Sequence, residues 1–138
     1  MPSYCVLRHE LPPDDPRDAH FDLMLEEEDV LLTWELSQWP PVKTVDDNEP
    51  QFIHRLPDHR LDYLDYEGPV SKGRGNVSRV DSGTFEWLVK TGKQWSLLFN
   101  GKLCHGLLTF QILDPEHQRW MLSRDSSMSD VTVFDVTS

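Results

Sequence analysis

The chain has 138 residues, enough for one hydrophobic core and too few for two ordinary domains. Thirteen Lys and Arg stand against 24 Asp and Glu, a formal charge of −11, which excludes broad electrostatic coating of nucleic acid and confines such contact to a small basic patch or a bound cation. No run reaches the roughly 20 apolar residues of a membrane-spanning helix, and no signal-peptide pattern opens the chain, so a cytoplasmic protein without membrane contact is expected.

Ten prolines and seven glycines break the sequence into short runs, and no helical periodicity persists over the roughly 11 to 18 residues that define an amphipathic helix. Strands should dominate. The first is expected over residues 4–8, followed by a Pro and Asp loop over 11–16 and a strand over 20–25. The acidic run 26–29 reads as a solvated turn before an apolar strand over 30–36. Residues 40–50 form a polar loop and 51–56 a further strand. The segment 58–76, DHRLDYLDYEGPVSKGRGN, is dense in Gly, Pro, Asp and basic groups and favours ordered loop with a helical turn.

Asn100-Gly101 predicts a two-residue type I′ hairpin turn between a strand at 96–99 and one beginning at Lys102, because both residues accept positive φ. Strands over 107–113 and 120–124 complete the set. The expected fold is mainly β, a compact closed or nearly closed antiparallel barrel with one or two short flanking helices. It occupies residues 1–124, with 125–138 as a C-terminal tail. The aromatic residues serve mainly as core, and Cys5 and Cys104, far apart and outside any CxxC pair, are expected as buried thiols.

The strongest chemical signal is His20-Phe21-Asp22-Leu23-Met24-Leu25. In a strand, His20, Asp22 and Met24 share one face while Phe21, Leu23 and Leu25 share the other. Side chains about 7 Å apart along a strand can converge on one ion, since imidazole and carboxylate donors both bind at about 2.0 to 2.2 Å. HxD alone also fits a hydrogen-bonded pair on a barrel wall. His9 would add a third ligand if the first two strands pair, and a His, His, carboxylate set suits Mn, Fe or Zn better than Ca or Mg.

Further along, His59 and Tyr63 could hold an anion or exchange protons with a leaving group, or form an ordinary hydrogen-bonded turn. Lys72, Arg74 and Arg79 concentrate positive charge nearby, and Gly73 and Gly75 would admit a phosphate close to the backbone.

His9, His20-x-Asp22, Trp34, Asp58-His-x-Leu-Asp-Tyr63, Asp65-Tyr-Glu-Gly68, Gly101-Lys-Leu-x-x-Gly106 and Arg119-Trp-x-Leu-x-Arg124 follow one another in an order that resembles the phosphoesterase domain of bacterial DNA ligase D, the end-joining ligase. The resemblance covers residues 3–124, and DHRLDYLDYEG is its most specific part. It implies a β-barrel that uses a divalent metal, manganese with zinc as the alternative, to trim a 3′-ribonucleoside or 3′-phosphate from DNA ends. The implied metal ligands are His9, His20 and Asp22, with His59 on the phosphate and Tyr63 in the same active site. The implied partners are DNA 3′ ends and other end-joining proteins, with the chain a monomer.

Where the family carries a phosphate-gripping arginine, this chain has Met24, and Gln38, Gln51 and Pro57 replace other polar or charged residues. A thioether cannot supply the forked charged hydrogen bonds of a guanidinium. Arg55, by strand parity with His59, and Arg17, in the loop before His20, are the candidate replacements. The competing expectations are a phosphoesterase for a different substrate and a catalytically weakened module that binds metal and DNA ends or a partner.

Overall fold

The structure, a computed structural model, describes residues 1–41, 51–70 and 73–125. Its elements are β1 (Ser3–Glu10), β2 (His20–Glu27), β3 (Val30–Leu36), β4 (Gln51–Arg60), a 3-10 turn (Leu61–Leu64), β5 (Gly68–Pro69), β6 (Asn76–Lys90), β7 (Gln94–Gly101), β8 (His105–Asp114) and β9 (Arg119–Asp125). The strands run in the order β1-β2-β3-β4-β9-β8-β7-β6, and β6 pairs back onto β1, so the sheet closes into an eight-stranded barrel with β5 added outside on β6. Every pairing is antiparallel. The β1–β6 pairing removes the two open edges that an eight-stranded sheet would otherwise have. No helix among the described residues is long and apolar enough to cross a membrane.

The fifteen-residue β6 makes closure possible: its first part pairs with β1 and its second with β7. A register shift in each pairing, opposite Val6/Leu7 and at Trp87/Val89, adds the local bend that a small barrel requires. No strand was expected here, because NVSRVDSGTFEWLVK mixes turn-forming Ser, Asp and Gly into the apolar pattern.

The expected Asn100-Gly101 turn is displaced. Both residues remain in β7, opposite Thr84 and Gly83 of β6, and the chain reverses one step later, where the Gly101 N–H donates to the Cys104 carbonyl at 2.9 Å. Gly101 is required for packing rather than for positive φ, since a Cβ there would lie 1.6 Å from the Tyr4 hydroxyl.

Leu23 and Leu25 of β2, Val6 of β1 and Trp34 of β3 enter the barrel core. There Trp34 lies edge-on to Trp95 and Trp120, with ring centres 5.8 and 5.4 Å away. Asp81 is also inside, 1% exposed, and its carboxylate accepts from Tyr4 Oη, Trp39 Nε1 and the Ser82 and Leu103 N–H groups at 2.8 to 3.0 Å. All four donors meet a charged acceptor, which is what makes a carboxylate tolerable in an aromatic core.

The opposite face of the β1–β2–β3 wall carries a second apolar cluster, Cys5, Leu7, Met24, Leu31 and Val77, covered by Leu61, Tyr63, Leu64 and Val70. The 3-10 turn and the segment after it are therefore clamped onto the outside of the barrel. Both cysteines are buried and free, and burial pushes each thiol up to about 12.

Candidate metal centre

The β1–β2 register sets Cys5 opposite Met24, Leu7 opposite Asp22 and His9 opposite His20. Directly opposed residues in an antiparallel pair share a face, so an apolar ladder gives way to a polar one at the strand ends, outside the barrel. His9, His20 and Asp22 each bring a donor atom within 4.8 Å of the others, a His/His/Asp group able to hold a metal ion. Asp22 is 5% exposed, and its Oδ1 has no hydrogen-bond partner although His20 Nε2 is 3.3 Å away.

His9 Nε2 lies 2.7 Å from the Arg74 carbonyl. A carbonyl only accepts, so Nε2 carries the proton, and Nδ1 is the atom left facing Asp22 Oδ2 at 3.5 Å. A neutral imidazole lone pair opposite a carboxylate calls for a proton or a metal cation between them, and a backbone carbonyl on the distal nitrogen is the usual orientation of a metal-binding histidine. The chain reaches this carbonyl through Gly75, whose φ is +97° and whose Cβ, if it had one, would lie 1.9 Å from the Glu10 carbonyl oxygen. Gly75 of the KGRG segment thus serves close approach of the chain to itself, whereas Gly73, at φ +65°, has open space around it. Lys72 lies outside the described residues.

The Asp22 carboxylate, with a smaller contribution from the Arg74 carbonyl, holds His9 above the ordinary imidazole value of 6.5 against the opposing effect of burial. Burial works to raise Asp22, but His20 and His9 together hold it below the usual carboxylate range. A ligating imidazole must be deprotonated, so protons compete with the ion from above pH 6.5 downwards. Metal affinity followed by calorimetry is expected to fall as the pH falls through that region, with protons released on binding. Constant affinity from about pH 8 to about pH 5 would contradict the assignment of His9.

His59 and Tyr63 reach the same place from β4 and the 3-10 turn. A cavity of about 340 Å³ is lined by His9, Asp22, Met24, His59, Tyr63 and Arg74. His59 Nδ1 donates to the Pro57 carbonyl at 2.9 Å, leaving Nε2 for other partners, and its ring packs edge-on to Tyr63 with centres 5.5 Å apart. Arg17 borders a neighbouring cavity that also includes His9, His20, Asp22 and His59, where it forms a two-point ion pair with Asp15.

Arg55 is not brought to the ligands. Trp34 pairs with Arg55, but Leu31 pairs with His59, and the register shift between them breaks the parity that would have put both side chains on one face. The guanidinium instead lies 5.0, 5.8 and 5.6 Å from the ring centres of Trp34, Trp95 and Trp120, where cation–π attraction holds it. Met24 is 1% exposed within the outer apolar cluster. Two contributors escaped the sequence: the Arg74 carbonyl, a backbone group, and Glu35, which lies opposite Asp22 on β3 with Oε1 3.4 Å from His20 Nε2. Counting register from a two-residue turn at Glu28-Asp29 would have found Glu35.

Fold and site together define a closed antiparallel β-barrel with a His/His/Asp cluster on its outer wall. The chain belongs to the DNA ligase D 3′-phosphoesterase domain family, which it matches over residues 13–124. It is similar to the multifunctional non-homologous end joining protein LigD of Pseudomonas aeruginosa, 31% identical over 85 residues, 59% of this chain and 9% of that protein. The corresponding protein of Mycobacterium bovis is 25% identical over 127 residues, 86% of this chain and 16% of that protein, and the Mycobacterium tuberculosis protein matches to the same extent. The chain thus spans less than a fifth of the length of these relatives. His20, Asp22, His59 and Tyr63 fall inside the family match and His9 precedes it, so the place of His9 in the cluster rests on the β1–β2 register.

Proposed function

We propose that this chain is a divalent-metal-dependent phosphoesterase acting on DNA 3′ ends in end-joining repair, removing a 3′-ribonucleoside or 3′-phosphate. The observation that carries the reading is the orphaned, buried Asp22 Oδ1 set between His9 and His20 on the wall shared with His59 and Tyr63. His9, His20 and Asp22 would hold the ion, with manganese favoured by the family and zinc the alternative. When bound, the ion would supply Lewis-acid polarisation of a phosphoryl oxygen. His59, through Nε2, would hold the phosphate or pass a proton to the leaving oxygen, and Tyr63 would position that group. Arg17, which lines the adjoining cavity beside the cluster, would bind the substrate. Two buried free thiols suit a reducing compartment such as the cytoplasm.

A second reading is favoured by Met24 and Arg55. With the thioether sealed among Cys5, Leu7, Leu31 and Val77 and the guanidinium held over tryptophans, two positions expected to grip phosphate do not. The chain would then bind metal and DNA ends, or a repair partner, without efficient turnover.

Primer-template DNA ending in a ribonucleotide or a 3′-phosphate separates the two. Shortened or dephosphorylated product in Mn²⁺, slowed about 10²- to 10³-fold in His59→Ala, supports the enzyme. Absence of product from protein that binds both metal and DNA ends overturns it in favour of the binding module.

A further inference from the structure

The distances around His20 show more than a three-ligand cluster. Two donor atoms bound tetrahedrally to one ion at about 2.0 to 2.2 Å stand about 3.3 to 3.6 Å apart, longer than a good hydrogen bond. The pairs His20 Nε2–Asp22 Oδ1, at 3.3 Å, and His9 Nδ1–Asp22 Oδ2, at 3.5 Å, have this spacing. So does His20 Nε2–Glu35 Oε1, at 3.4 Å. Glu35 is opposite Asp22 in the β2–β3 register, and its side chain is 36% exposed, so it meets the cluster on its more open side. At this site the mutually close set is His9, His20 and Asp22; Glu35 touches only the His20 corner and must turn inward to share the ion.

We propose that Glu35 is a fourth protein ligand, an anion supplied by the chain itself to the position that a substrate phosphate would otherwise take. The inference rests on the metal-centre reading above and adds regulation to it. Two neutral imidazoles and one carboxylate leave a divalent ion with a net charge of +1, which attracts phosphate; a second carboxylate brings the site to neutrality. Zinc sites with four protein donors behave as closed, structural centres, whereas catalytic ones keep a position open. For a four-coordinate ion such as zinc, phosphate binding therefore requires Glu35 to swing away.

The test uses the full chain, with the metal alone and then with inorganic phosphate. Glu35→Ala and Glu35→Gln, changes at a partly exposed position, are expected to weaken Mn²⁺ or Zn²⁺ binding in calorimetry at least tenfold, the lower end of what an outer-sphere partner is worth. They should also alter the visible spectrum of the Co²⁺ form and tighten the binding of inorganic phosphate to the metal-loaded protein. Wild-type metal affinity and an unchanged Co²⁺ spectrum in both variants would overturn the role of Glu35. His20→Ala and Asp22→Ala distinguish the two levels: if both retain tight binding, the metal centre itself is refuted, and if they lose binding while the Glu35 variants do not, only the fourth ligand is refuted.

Discussion

Alanine in place of His20 or Asp22 is expected to remove one-to-one binding of Mn²⁺ or Zn²⁺ while leaving the barrel folded. Partners that merely orient a ligand cost about 10- to 100-fold in affinity when lost, so removing a direct donor should exceed about 100-fold. Asp22 is the sharper probe. It contributes the charge of the trio, it is 5% exposed, and one of its oxygens makes no hydrogen bond. An unpaired buried carboxylate oxygen costs stability in the metal-free protein, so Asp22→Asn should lose the metal with little loss of stability. Calorimetric titration with parallel thermal melts checks both halves, and tight binding retained by both His20→Ala and Asp22→Ala would remove the metal centre from the protein.

The largest effect on stability is expected at Asp81. Asp81→Ala leaves the Tyr4 hydroxyl, the Trp39 indole N–H and two backbone N–H groups without their acceptor in an aromatic interior. A buried unsatisfied donor costs about 1 to 3 kcal/mol, and the terms are not additive, so a loss of about 4 kcal/mol is expected. For a chain of this size that is a fall in Tm on the order of 10 to 20 °C. Asp81→Asn should not rescue it, because an amide turns its NH₂ towards donors on one side whichever way it is oriented. A urea or thermal transition shifted by less than about 1 kcal/mol in Asp81→Ala would show that water replaces the carboxylate.

The sequence disclosed those parts of the fold that depend on short-range alternation. Phe21, Leu23 and Leu25 alternate with His20, Asp22 and Met24, and the two sets lie on opposite faces of β2. What it did not disclose depends on partners distant along the chain. β6 is extended because β1 and β7 pair with it, not because its residues prefer strands. Gly101 looked like turn chemistry and instead makes room for the Tyr4 ring, 97 positions away in the chain. The parity that linked Arg55 to His59 failed because β4 carries an irregularity, and irregularities leave no mark in simple alternation. The grouping of His20 and Asp22 was legible for the same reason as β2, whereas Glu35 and the Arg74 carbonyl required register and loop path.

The sidedness of β2 has a consequence for how the protein can change. Odd-numbered positions from Phe21 to Leu25 face the barrel interior, and even-numbered ones from His20 to Met24 face the outer wall. Mutations in the two sets therefore answer to different selection: one set is constrained by the barrel core, the other by the outer apolar cluster at Met24 and by the group that His20 and Asp22 form with His9. A residue of the outer wall, such as Glu35 one strand over, can be exchanged without disturbing the packing that keeps the barrel closed. Such a scaffold can lose, tune or repurpose a reaction by single-letter steps while remaining a folded, inheritable protein throughout.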